Sequence, residues 1–437
     1  MYIERFKEKV DLLKKQRLYR QLEKSTGLEF QHNDYLGLST HPELLEAISD
    51  AICVVGAGSR GSRLLGGNRG VFEETEEKIS TFFGSPSALL FSSGYLANLA
   101  VLQVLGECVD HVYSDEKNHA SLIDGIRLSQ ARKTVIPHQE WEKLAAAGHP
   151  GAGPLGSDTP LDGVRGRTWI PGHPGAESRT WIPEIQPGPK LLVAEGVYSM
   201  DGDLLSQDFT SAALRMGAFA LIDEAHMAGV LFESGRGTDY SQSLGWGNFA
   251  KTVTFGKAFG VSGAAILCSN ELKELLVNRA RTFIYTTAPS PIVAIGIKKA
   301  LEIVDREAWR REEIWARAES ARATLAMRRP EDSSEAVPRW TATAERGYMA
   351  MRRPSNIWGC RVPIIIIPLP GEDRALSLAR NMREFGFDVR AIRYPTVPRG
   401  LERIRITLNL HVSKENTEML FQLLNQVLDE QKERGVL

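Results

Sequence analysis

No aliphatic run in this sequence is long enough to cross a bilayer. The longest, Val362–Leu369, is interrupted by Pro363 and Pro368. The first ten residues lack the apolar core of a secretory signal. Cysteine is scarce: Cys53, Cys108, Cys268 and Cys360 are scattered, with no Cys-x-x-Cys pair. That excludes a disulfide scaffold and a cysteine metal site, and it predicts reduced, mostly buried thiols in a cytoplasmic protein. An excess of one charge is missing too. With 53 basic and 54 acidic residues the net charge is −1, so neither nucleic acid nor an anionic membrane is implied as a partner. What is present is an ordinary globular composition, 43% hydrophobic and 24% charged over 437 residues. It leaves room for a large core and a second, smaller domain.

The chain is organised around Thr252-Val-Thr-Phe-Gly-Lys-Ala-Phe-Gly-Val-Ser-Gly263. A β-branched run reads as a strand end, and Lys257 follows it between Gly256 and Gly260. A lysine there, once buried, has a lowered pKa and serves as a Schiff-base nucleophile. A surface lysine in a glycine loop fits this stretch taken alone just as well.

In chain order, residues 4–23 read as a helix, with Phe6, Val10, Leu13 and Leu22 near one face. Pro42 opens another, to Val55. The glycine-rich stretch Gly56–Gly70 is not a strand followed by G-x-G-x-x-G, so it is a weak dinucleotide signal. A helix is expected over 71–83 and a strand over Ser87–Phe91. The turn Ser92-Ser93-Gly94-Tyr95 then leads into a helix over Leu96–Leu105. Such a turn offers free backbone N–H groups to a phosphate, or is simply a capped helix.

Strands at Val112–Ser114, Lys133–Ile136, Leu191–Glu195, Ala218–Asp223 and Lys251–Thr254 alternate with helices such as Ser121–Gln130 and Thr210–Met216. This predicts an α/β fold with a parallel sheet covered on both faces. Functional side chains then sit at the carboxyl ends of the strands, which is where His119, Ser199, Asp223, His226 and Lys257 fall. Residues 148–189 break the pattern. They are rich in Gly and Pro, repeat Arg-Thr-Trp-Ile-Pro at 167–171 and 179–183, and read as a surface insertion. Helices are expected from Pro291 to Arg328, then a polar stretch to Cys360. A final α+β unit has strands at Arg361–Leu369, Asp388–Ile392 and Arg403–Asn409 and helices at Asp373–Phe385 and Lys414–Glu433. The organisation is thus an N-terminal entrance segment (1–45), a large α/β domain (46–290) and a small α+β domain (291–437).

A carboxylate leaving a buried strand (Asp223), an amine at a later strand end (Lys257) and a phosphate turn (Gly94, Tyr95) together describe a site for pyridoxal 5′-phosphate. Here the sequence resembles the α-oxoamine synthases, fold-type I pyridoxal-phosphate enzymes. The resemblance is carried by Asn33-Asp-Tyr-Leu-Gly-Leu38, Ser93-Gly-Tyr95, Asn118-His-Ala-Ser121, Glu195-Gly-Val-Tyr-Ser-Met-Asp-Gly202, Asp223-Glu-Ala-His226 and Thr254-Phe-Gly-Lys257. It implies that Lys257 forms the imine and then moves the Cα proton, that Asp223 pairs with the ring nitrogen, and that His119 stacks on the ring. It implies that Ser199 and His226 bond the ring hydroxyl, and that Gly94, Tyr95 and Thr254 hold phosphate or ring. Arg405 would grip the amino-acid carboxylate, with Asn33, Arg20 and Thr396 lining the substrate entrance. The family works as a homodimer, and Thr287 is the candidate for reaching the partner's phosphate. No metal is implied.

Within the family, Ala391-Ile-Arg-Tyr-Pro-Thr-Val-Pro398 points to the branch that joins L-alanine to a pimeloyl thioester, carried on coenzyme A or an acyl carrier protein, in the biotin pathway. Tyr394 stands where that branch has proline. A branch using glycine or serine, and a catalytically silent partner subunit, are the competing expectations.

Overall fold

The computed structural model describes residues 1–147, 185–326 and 361–433. Both Arg-Thr-Trp-Ile-Pro repeats, most of the 148–189 excursion, Arg328, the 329–360 stretch and Cys360 lie outside them. No helix among the described residues is long and apolar enough to cross a membrane.

The centre is a seven-stranded sheet. Its strands are β2 (Ser87–Phe91), β3 (His111–Asp115), β4 (Arg132–Ile136), β5 (Lys190–Glu195), β6 (Phe219–Asp223), β7 (Phe249–Thr254) and β8 (Ala264–Cys268), in the spatial order β2-β8-β7-β6-β5-β3-β4. Strands β7, β6, β5, β3 and β4 run parallel, as expected of helix-linked crossovers. The expected, mostly parallel sheet has one reversed strand, β8, which is antiparallel to both β2 and β7. Two reversals restore direction, so β2 ends on the same side as β7. The carboxyl ends of β2, β3, β5, β6 and β7 therefore open together on one edge.

Helices cover both faces, and apolar side chains such as Leu102, Val193, Leu221 and Ile266 fill one interface while Leu192, Phe209 and Ile222 fill another. Helix Gly94–Leu105 lies against helix Ala120–Ser129. The approach is set by Gly125, where a Cβ would sit 2.7 Å from Leu102 Cδ1. Only glycine lets these helices come this close.

A smaller antiparallel sheet follows the order β11 (Arg390–Ile392), β12 (Arg403–Thr407), β9 (Ile364–Pro368). β1 (Leu28–Glu29) pairs in parallel with β10 (Phe387–Asp388). The expected strand Asp388–Ile392 is thus broken at Val389 into β10 and β11. Thr407 N–H donates to Phe30 carbonyl and Leu410 N–H to Tyr35 carbonyl. These bonds stitch residues 28–38 to the small sheet and bring Asn33 and Tyr35 beside Arg405.

Other expectations need correction. The first helix spans Tyr2–Lys15 rather than 4–23, since Arg17 takes positive φ and turns the chain. None of its residues is buried. The helices expected between Pro291 and Arg328 are present as Pro291–Arg306 and Trp309–Ala326, parted at Glu307. Cys53 and Cys108 are exposed, and Cys268 is buried. Cys53 lies on the solvent side of its helix, and Cys108 lies in the turn after helix Gly94–Leu105.

Candidate active site

Asp223 ends β6 and is almost fully buried. Its Oδ1 accepts the N–H of Ala225 at 2.9 Å and its Oδ2 accepts Asn98 Nδ2 at 2.7 Å. Asn98 also donates to Ser121 Oγ at 2.9 Å, and its own Oδ1 accepts Thr252 Oγ1 at 2.7 Å. Ser121 in turn meets His119 Nδ1, through its hydroxyl at 2.8 Å and its backbone N–H at 3.2 Å. A neutral His119 accepting at Nδ1 keeps its proton on Nε2. One continuous network thus fixes Asp223 and His119 together. Asn98→Ala leaves the Asp223, Thr252 and Ser121 groups short of partners inside the core. It is expected to cost about 1–3 kcal/mol of stability, read from the urea midpoint.

Lys257 lies three residues beyond the end of β7, the strand that pairs with β6. It is partly buried, and desolvation lowers its amine from 10.5 to about 8, with Arg405 adding and with Asp223 and Glu195 opposing. Glu195 ends β5 in register with Asp223. Burial, with the Asp223 charge beside it, raises its pKa well above the ordinary carboxylate range. His119 remains exposed, yet the desolvation it does suffer, followed by the nearby Lys257 charge, lowers its pKa against the pull of Asp223.

Helix Gly94–Leu105 presents its N-terminus beside β7. Ser93 caps it, accepting Leu96 N–H at 3.3 Å. A Cβ on Gly94 would lie 2.5 Å from Thr254 Cγ2, so glycine is required for the helix to start against this strand. Tyr95 is exposed, hydrogen-bonded to Asp124, with its ring edge-on to His119 at 6.4 Å.

On the other side, Arg405 rises from β12 and is buried, which lowers its pKa. Its Nη2 donates to Asn33 Oδ1 at 2.9 Å, its Nε to Ser199 carbonyl at 2.8 Å and its Nη1 to Thr407 Oγ1 at 3.0 Å. Tyr35 Oη meets His226 Nδ1 at 2.6 Å. Burial, then Lys257 and Arg405, hold the pKa of His226 well below its usual value.

The fold therefore gathers Gly94, Tyr95, His119, Asp223, His226, Thr254 and Lys257, and brings Asn33, Ser199 and Arg405 to the same edge. Ser199 meets Arg405 through its backbone carbonyl. Arg20 and Thr396 pair with each other at 3.4 Å on the surface. Thr287 is exposed, one residue before Ala288, whose N–H bonds Gly61 carbonyl. Sequence reasoning missed Asn98 and Tyr35 as site residues. The available signal for Asn98 was a lone amide among Leu96, Ala97, Leu99, Ala100 and Val101. The donor set fits a pyridine ring bearing an aldehyde and a phosphate: a carboxylate for the nitrogen, a low-pKa amine for the aldehyde, and a helix N-terminus for the phosphate.

The sequence matches the family described as aminotransferase class I and II over residues 25–424. It is 33% identical to the 8-amino-7-oxononanoate synthase of Saccharophagus degradans, over 92% of this chain and 87% of that protein. It is 35% identical to the enzyme of the same name from Stutzerimonas stutzeri, over 91% of this chain and 86% of that one. Among solved structures, Sphingomonas wittichii serine palmitoyltransferase superposes with a TM-score of 0.72 at 23% identity, covering 94% of this chain and 88% of that one. The Francisella tularensis 8-amino-7-oxononanoate synthase superposes with a TM-score of 0.66 at 23% identity, covering 93% and 99%. These two likenesses concern the fold.

Proposed function

The chain belongs to the class I and II aminotransferase family, and we propose that it uses pyridoxal 5′-phosphate to condense L-alanine with a pimeloyl thioester. The products are 8-amino-7-oxononanoate, carbon dioxide and the free thiol, on the route to biotin. The observation that carries this reading is the low-pKa amine of Lys257, set at a strand end beside the buried Asp223 carboxylate. Identity to the named synthases over nine-tenths of the chain supports the choice of substrates.

When bound, the cofactor supplies a cationic ring that takes up the electron pair released at the substrate Cα. Asp223 keeps the ring nitrogen protonated, since a buried carboxylate held by Asn98 and the Ala225 N–H favours a proton opposite it. Lys257 holds the cofactor aldehyde at rest and moves the proton at Cα during turnover. His119 covers one ring face, and the helix end at Gly94 and Tyr95, with Thr254, receives the phosphate. His226, held by Tyr35, and Ser199 address the ring hydroxyl. Arg405 grips the amino-acid carboxylate in a charge-assisted contact, with Asn33 fixing its far nitrogen. Arg20 and Thr396 line the thioester entrance.

The pKa of Lys257 sets a pH dependence. Uptake of pyridoxal 5′-phosphate by the apo chain needs the neutral amine. The uptake rate is expected to rise about tenfold per pH unit and to level near pH 8, where an ordinary lysine levels near 10.5. Stopped-flow absorbance measures it.

The function itself is tested by absorbance titration of the holoenzyme with L-alanine, glycine and L-serine, followed by a pimeloyl thioester. Saturation by L-alanine at the lowest concentration, with thiol release, is the expected result. Preference for glycine or serine with no thiol released from the pimeloyl substrate overturns it. The acyl group arrives on coenzyme A or an acyl carrier protein. The working form is a cytoplasmic, isologous homodimer in which Thr287 reaches the partner's phosphate. Exposed Tyr2, Ile3, Phe6, Leu65 and Tyr285 supply apolar surface for such a contact. A fully active monomer in sedimentation contradicts the dimer.

A further inference from the structure

A second buried polar assembly lies beside the site, and none of the roles above uses it. His138 follows β4. Its Nδ1 donates to Asp115 Oδ1 at 2.9 Å, at the end of β3. Its Nε2 donates to Asp203 Oδ2 at 2.8 Å. With a carboxylate on each nitrogen, the ring carries both protons and a positive charge. Burial alone would pull its pKa down, but the bonds to Asp115 and Asp203 and their charges push it up to about 9.

Asp203 belongs to a tight hairpin, residues 196–205. The hairpin is closed by the Val197–Leu204 bridge, by Leu205 N–H to Gly196 carbonyl at 3.0 Å and by Gly202 N–H to Tyr198 carbonyl at 2.7 Å. One side of it faces His138. The Tyr198 ring packs edge-on against the imidazole at 4.5 Å, and Gln139 Nε2 donates to Leu204 carbonyl at 2.6 Å. The tip faces the small sheet. Ser199 carbonyl accepts Arg405 Nε at 2.8 Å, and Met200 carbonyl and Asp201 Oδ1 each accept Arg403 Nη1 at 2.8 Å. The hairpin is thus a beam with His138 at its root and Arg405 at its end.

We propose that His138 is a positioning residue for substrate binding: it clamps the 196–205 hairpin to the end of β3 and thereby sets where Ser199 holds the Arg405 guanidinium. The inference rests on the reading of Arg405 as the carboxylate-binding group. The clamp is electrostatic. Without the ring, Asp115 and Asp203 face each other across a buried space with no cation between them, and their repulsion pushes the hairpin out. A displacement of about 1 Å at the carbonyl takes its bond to Arg405 out of hydrogen-bond range, so the guanidinium loses its fixed alignment.

The test uses holoenzyme carrying His138→Phe, which keeps ring volume and removes both donors, and Asp203→Asn, which keeps shape and removes one charge. In His138→Phe the KM for L-alanine is expected to rise about tenfold or more, while kcat and the KM for the pimeloyl thioester stay within about threefold. Asp203→Asn is expected to shift the same KM by about threefold. Hydrogen exchange at the Gly202 and Leu205 amides should quicken about tenfold or more in both variants. Unchanged exchange in the hairpin, or a fall in kcat at constant alanine KM, overturns the proposal. Failure of the Arg405 reading looks different, since Arg405→Lys would then leave the alanine KM unchanged while hairpin exchange in His138→Phe still quickens.

Discussion

Lys257→Met is expected to lower kcat by at least about 1,000-fold, toward the upper end of what one positioned proton-transfer group contributes. The same amine is assigned both to hold the cofactor and to move the Cα proton, so one substitution removes both. The visible absorbance of the lysine-bound cofactor should vanish with it. A stability measurement separates this loss from misfolding. The folded-state pKa of about 8 lies below the unfolded value of 10.5. Between those values the unfolded chain binds more protons, so stability of the apo chain rises with pH across that window and carries its full penalty below pH 8. Methionine fills similar volume without charge. The apo variant should therefore be more stable than the parent at pH 7, by on the order of 1–3 kcal/mol, and its urea midpoint should lack the rise between pH 8 and 10. A variant that is both stable and inactive assigns the amine to chemistry. Substantial remaining turnover removes the assignment.

Asp223→Asn tests the partner group. The amide keeps nearly the same shape and still accepts from Asn98 through its oxygen, while its NH2 group cannot accept and so loses the Ala225 N–H bond. The negative charge is lost. An opposite charge at this range holds a proton on its neighbour by about 1–3 pKa units, so the ring nitrogen loses that much affinity and kcat should fall about 10- to 1,000-fold. Affinity for the cofactor should change less, because the phosphate and aldehyde contacts remain. An absorbance pH titration of the bound cofactor reads the shift directly. An unchanged titration and an unchanged kcat together place the carboxylate outside the chemistry.

Most of what makes this site was written locally. Lys257 stands in Thr254-Phe-Gly-Lys257, and Asp223 and His226 stand in one six-residue strand end, so spacing along the chain exposed them. The strand–helix alternation was legible because buried parallel strands such as Leu191–Glu195 and Phe219–Asp223 are short, apolar and separated by helices. β8 was harder to read. Ala264–Cys268 is buried on both faces like its neighbours, and the composition of such a strand does not depend on the direction in which it runs. The length of the first helix was misjudged for a related reason. Its apolar residues have the right spacing, but none of them is buried, and spacing without burial does not hold a helix end in place.

The sequence by itself determined the fold class and the order of the elements, and it singled out Lys257, Asp223 and Arg405 as candidate site residues, because each lies in a short contiguous motif. Tertiary structure alone decided which groups hold them in place. Asn98 reaches Asp223 across 125 positions, Tyr35 reaches His226 across 191, and Arg405 reaches Asn33 across 372. Hydrogen bonds act over about 3 Å, and nothing in the local sequence of either partner specifies such a distance until the sheet edge closes around them.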